Sequence, residues 1–137
     1  MQASTTALGR RGMAKRSLGA KIWLIPDCFL PEKSTGELES HESTCVLNVG
    51  GRTAAVRFTA YFEDREPIAG LLASCSPRRT NHVRINRLRN AAGESIPRGV
   101  PFALLVESNV RIVVQHTRLD STQPALALMT TMAFAVK

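Results

Sequence analysis

Aromatic side chains are scarce in this chain: they make up 5% of its 137 residues, with a single tryptophan and a single tyrosine. Surfaces on which successive bases stack need several exposed rings, so that mode of nucleic-acid binding has little to build on. Cysteine is scarce as well. Cys28, Cys45 and Cys75 are odd in number, far apart and without a Cys-x-x-Cys pair, which removes zinc-ribbon and thioredoxin motifs. Buried free thiols in a reducing, cytoplasmic compartment are the simplest reading. No apolar run approaches the roughly 20 residues of a membrane-spanning helix. Acids are missing from the first 21 residues, where Arg10, Arg11, Lys15, Arg16 and Lys21 supply five of the seven net positive charges. The rest of the chain is therefore almost balanced. Its one concentrated basic stretch is Arg78, Arg79, Arg84, Arg87 and Arg89.

Hydrophobic residues at 44% are enough for one packed domain without disulfides. Residues 1–20 read as a disordered basic extension: no apolar segment follows Arg10-Arg11, and Met13 offers an alternative start. Residues 21–137 read as short strands between turn residues. Expected strands are 21–25, stopped by Pro26, then 43–49, 54–62, 69–76, 81–88, 102–107, 110–117 and 126–136. Gly50-Gly51 reads as a hairpin turn between the second and third. In 54–62, Val56, Phe58, Ala60 and Phe62 alternate with Arg57, Thr59 and Tyr61. The last segment is apolar on both faces, which predicts subunit packing, although 125–132 also fits a helical turn. No helical pattern separates the strands, so the fold class is all-β, a single-domain antiparallel β-sandwich.

Two runs carry more polar chemistry than turns require. One is Arg78-Arg79-Thr80-Asn81-His82-Val83-Arg84-Ile85-Asn86; the other is Ser108-Asn109-Val110-Arg111-Ile112-Val113-Val114-Gln115-His116-Thr117-Arg118-Leu119-Asp120-Ser121. Arginine forks suit anions, and amide side chains suit hydroxyls and carboxylates. Arg79, His82, Arg84, Asn86, Gln115, His116, Arg118 and Asp120 are therefore the expected ligand-binding residues. Trp23, His41, Glu42 and Asn48 are further candidates. The plainer alternative pairs Arg118 with Asp120 to tie down a turn, and keeps Trp23 in the core.

Catalysis has weaker support. His82 or His116 could act as bases with Asp120 or Glu42, and Ser121 or Ser108 as nucleophile, but no Gly-x-Ser-x-Gly elbow is present. His41, His82 and His116 lack metal-binding spacing. No catalytic residue, no metal ligand and no cofactor is therefore assigned. The basic stretches allow weak, salt-sensitive contact with nucleic acid, without a reader of sequence.

The two polar runs, together with Ser40-His41-Glu42-Ser43-Thr44-Cys45-Val46-Leu47-Asn48 and Tyr61-Phe62-Glu63-Asp64-Arg65-Glu66-Pro67, resemble the sensory rhodopsin transducer family. The resemblance runs from about Ile22 to the C-terminus. It implies a cytosolic homotetramer of β-sandwich subunits, in a family whose namesake couples to a retinal-binding membrane photoreceptor. It also implies a small-molecule-binding domain for sugars or related metabolites. Asp27-Cys28 departs from the Glu-Gly usual after the tryptophan strand. The loop 87–99 is basic, where the namesake-like sequence is acidic. The expected function is a non-enzymatic binding and signalling protein for a small polar ligand. The alternatives are a transducer docked on the cytoplasmic face of a membrane receptor, and a DNA-associated regulator.

Overall fold

A computed structural model of the chain describes residues 17–137. The expected disorder of the N-terminal extension lies, for residues 1–16, outside the described residues. Ala20 is already the buried first residue of a strand, so the domain begins one residue before its expected start.

Among the described residues eight strands form in chain order: β1 (Ala20–Phe29), β2 (His41–Asn48), β3 (Ala54–Phe62), β4 (Ile68–Cys75), β5 (Arg79–Arg84), β6 (Pro101–Asp120), β7 (Ala127–Met132) and β8 (Phe134–Val136). All their pairings are antiparallel. One sheet has the order β4-β3-β6-β1-β8, and a second has the order β5-β2-β6-β7. The all-β fold expected from the strand spacing is thus present.

The sheets share β6. Its first half pairs with β3 from Phe102 to Ser108, and its second half pairs with β2 from Val113 to Leu119. Sequence reading divides this 20-residue strand at Ser108-Asn109. Those residues serve a corner instead of a turn: Asn109 Oδ1 accepts from the Ala55 N–H at 2.8 Å, and Ser108 Oγ accepts from the Val110 N–H at 3.3 Å. A strand that passes between layers in this way makes the corner of a sandwich. The core between the layers holds Trp23, Ile25, Val46, Val56, Phe58, Leu71, Val83, Ile85, Leu104, Val106, Ile112 and Val114. Each fully buried large apolar side chain contributes on the order of 1.5–3 kcal/mol.

Besides the strand expected over 81–88, which ends at Arg84 with residues 85–87 in a 3₁₀ turn, three expected elements are corrected. Gly50-Gly51 is not a hairpin turn, because β2 pairs with β5 and β6 while β3 pairs with β4 and β6. Asn48 decides this: its buried amide donates to the carbonyls of Arg52 and Cys75, and its Oδ1 accepts from the Gly50 N–H. The link is thereby tied to the opposite sheet. The segment 126–136 is two strands, not one, and they join different sheets, β7 on β6 and β8 on β1.

The third correction concerns β1, which runs through Pro26 to Phe29. Its register against β6 passes from Ile25↔Leu104 to Cys28↔Phe102, one extra residue on β1. Proline has no N–H to give to a ladder, so a bulge accommodates it. The extra residue also resets the alternation of side chains. Trp23 and Ile25 point inward; after the bulge Asp27 is exposed and Cys28 is buried.

Candidate functional site

Glu42 and Thr44 are in phase with Val46 on β2, so the alternation that buries the valine also buries a carboxylate and a hydroxyl. Across the ladder, Glu42 lies opposite Arg118 and Thr44 opposite His116 on β6. Such neighbours on one face of a sheet are close enough to bond. Arg118 Nε donates to Glu42 Oε1 at 2.7 Å, and the Phe29 N–H donates to the same oxygen at 2.8 Å. His116 Nε2 lies 3.0 Å from Glu42 Oε2, and His116 Nδ1 lies 3.1 Å from Thr44 Oγ1. A carboxylate only accepts, so the Nε2 proton of His116 faces Glu42.

Burial divides this group into a closed end and an open end. Glu42 and His116 are 0% and 1% exposed at their side chains, whereas Arg118 is 19% exposed. Asp27, at 81%, stands over Arg118 at 3.5 Å. Burial works against the charge on Arg118. The hydrogen bond and charge of Glu42, with the charge of Asp27, more than offset it and hold the guanidinium above its usual range. Cys28 Sγ abuts the closed end. Burial, reinforced by the charge of Glu42, pushes its thiol well above the ordinary range.

A second set of polar residues sits on the other face of the same sheet. His82 and Gln115 flank Cys45 from opposite sides, each in register with it. Thr80, Leu47, Val113 and Met132 complete a shallow groove of about 290 Å³. Gln115 Nε2 donates to Thr130 Oγ1 at 2.8 Å, which fixes the amide.

The expected ligand-binding residues therefore do not converge within one chain. Their alternation along β5 and β6 parts them: His82, Arg84 and Gln115 share the outer parity, while His116 and Arg118 face inward. Arg84 donates to Asn86 Oδ1 and Glu39 Oε2, so Asn86, in the 3₁₀ turn after β5, serves to hold an arginine. Burial, with Arg87 and Arg98 nearby, lowers the Arg84 pKa. Arg79 is exposed at the start of β5, its Nη1 on the Arg78 carbonyl. Asp120 bonds Thr122, which holds its carboxyl below the ordinary range; the expected Arg118–Asp120 tie is replaced by Arg118 on Glu42 and Asp27.

Of the further candidates, Glu42 is central. Trp23 is a core residue whose Nε1 donates to the Ala20 carbonyl. Asn48 is the structural tie described above, and His41 Nδ1 bonds the Glu39 carbonyl. Sequence reasoning missed Thr44 and Cys28. Thr44 carried a usable signal, its phase with Glu42 and Val46. Cys28 carried none, because its inward direction depends on the bulge at Pro26.

Comparison with known proteins adds a family and two solved structures. The family model described as Anabaena sensory rhodopsin transducer matches residues 18–135. The crystal structure of Thermotoga maritima 1070 is similar with a TM-score of 0.78 and 36% identity, covering 87% of this chain and 97% of that one. The Anabaena sensory rhodopsin transducer structure is similar with a TM-score of 0.68 and 42% identity, covering 77% of this chain and 92% of that one. No curated protein matches.

Proposed function

Because the chain belongs to the Anabaena sensory rhodopsin transducer family, we propose that it is a non-enzymatic signalling protein of the cytoplasm that binds a small polar ligand, of the sugar or anionic-metabolite class. The observation that carries this reading is the groove on the outer face of β5-β2-β6-β7. Its lining joins apolar Leu47, Val113 and Met132 to polar Thr80, His82 and Gln115. An apolar lining with a few placed polar groups suits a ligand with a C–H face and hydroxyls or carboxylates at its edge.

The supporting test is a thermal-shift screen of sugars, sugar acids and phosphates against the full chain. At least one compound raises the midpoint, and His82→Ala and Gln115→Ala remove that rise while leaving the unliganded midpoint nearly unchanged. A screen without any shift, or a shift that survives both substitutions, sinks the reading.

A protein partner has its own support. Every residue of β7 is exposed, among them Leu128 and Met129, and Phe134 on β8 is exposed too. Contiguous apolar surface of this kind marks an interaction site. We assign it to self-association as a homotetramer, which would leave other faces for a membrane photoreceptor of the kind that the Anabaena relative's name denotes. Nucleic acid is the weaker partner, since Arg84 and Arg89 are already bonded within the chain.

A further inference from the structure

Cys28, Glu42 and His116 present a thiol, a carboxylate and an imidazole, all buried, with ligand atoms within 4.8 Å of one another. Around a tetrahedral ion with ligand bonds of about 2.0–2.3 Å, ligand atoms stand roughly 3.3–3.6 Å apart. Small rotations would bring the trio to that spacing. They come from β1, β2 and β6, three adjoining elements of the sandwich.

We propose that Cys28 Sγ, Glu42 Oε2 and His116 Nε2 bind a divalent transition-metal ion, with zinc the best match. The mixed sulfur, nitrogen and oxygen set suits a borderline ion and is poor for magnesium or calcium. Two anionic ligands would neutralise its charge, so Arg118 keeps its own partner in Asp27.

The supporting shell is already built. A metal-bound histidine normally donates its other ring N–H to a fixed acceptor. Thr44 Oγ1 stands at His116 Nδ1 for that purpose, at 3.1 Å. The non-ligating Glu42 Oε1 is held by the Phe29 N–H and Arg118 Nε. Binding breaks the His116–Glu42 bond, the hydrogen bond of the Cys28 thiol with Glu42 and the long 3.9 Å contact of Cys28 Sγ with the Ile25 carbonyl.

The protons balance. Starting from neutral imidazole, the ring proton moves from Nε2 to Nδ1, where Thr44 accepts it. The Cys28 thiol proton leaves to solvent, one per ion bound. Entry is from the Arg118–Asp27 edge, the solvent-facing side of the cluster. A water can take the fourth position there.

The test uses the full chain, stripped with chelator and titrated with zinc, and with cobalt(II) as a spectroscopic probe. One equivalent of zinc should survive gel filtration, and cobalt should show a thiolate-to-metal charge-transfer band. Cys28→Ser should abolish the band, Cys45→Ser should keep it, and Thr44→Val should weaken binding about 10–100-fold. Proton release on adding zinc to the unsubstituted chain gives a readout independent of whether any variant folds, with about one proton per ion expected. Absence of stoichiometric zinc, zero proton release, or a band that persists in Cys28→Ser or follows Cys45 would overturn the proposal.

Discussion

Glu42 shows how much one residue can hold. It is fully buried and accepts from a backbone amide, an arginine and a histidine. Removing one member of a buried charged group costs about 3–5 kcal/mol, because the partners stay behind uncompensated. Glu42→Ala should therefore lower stability by about that amount in chemical denaturation. Arg118→Ala should cost less than Glu42→Ala, since His116 and the Phe29 N–H still serve the carboxylate. The thiols differ in a way that labelling can read. Cys28 and Cys75 are buried and Cys45 is half-exposed, so an alkylating reagent at mildly alkaline pH should modify Cys45 first. Because the folded pKa of Cys28 is raised, its contribution to stability in the metal-free chain is complete below the ordinary thiol value of 9.0 and lost as pH rises beyond it. Asp64 and Asp120 have the opposite sign. Side-chain hydrogen bonds from Arg65 and Thr122 lower their pKa values, so their contribution is present above 3.8 and lost as pH falls through the folded values. Denaturation midpoints across both pH ranges check the two signs.

At the scale of elements, the bulge in β1 and the corner in β6 position the buried cluster. Without the extra residue at Pro26-Asp27, the alternation would aim Asp27 inward and Cys28 outward. The link from β2 to β3 depends on Asn48. Asn48→Ala would leave the Arg52 and Cys75 carbonyls and the Gly50 N–H without this partner. An unpaired buried polar group costs roughly 1–3 kcal/mol, and a total loss of about 3 kcal/mol is expected by urea denaturation. Gly19 is a second such point. Its φ is +82°, and an added Cβ would overlap the Ile112 carbonyl where β1 meets β6. Gly19→Ala should cost on the order of 1–3 kcal/mol, through strained backbone and displacement of the first ladder pair.

The whole molecule presents an apolar belt at its C-terminal strands. On the first sheet, Phe134 lies opposite Leu24, and Leu24 opposite Leu105, so the exposed apolar surface of β8 continues across β1 toward β6. Edge strands with bare apolar faces tend to be covered by another chain. The homotetramer proposed above predicts four times 14.9 kDa in light scattering at micromolar concentration. Phe134→Lys combined with Leu128→Lys should reduce the mass without unfolding the domain, since both side chains are exposed in the single chain. A monomer in the unsubstituted protein would refute the assembly.

Local pattern by itself determined the all-β class, the apolar phase of Val56, Phe58 and Ala60, and the family resemblance. These properties depend on residues a few positions apart, so a linear reading reaches them. The same reading singled out Glu42, His116 and Arg118, because such residue types in a β-branched strand are conspicuous. Tertiary structure alone decided their partners. Glu42 and His116 are 74 residues apart and meet only through the β2–β6 register. It also set His82 on the face of Gln115 and not on that of His116, through the register of both with Cys45. The turn chemistry of Gly50-Gly51 was overruled for a related reason: the long-range ladders of β2 with β5 and β6, and the ties of Asn48 across the sandwich, outweigh a local preference for a hairpin.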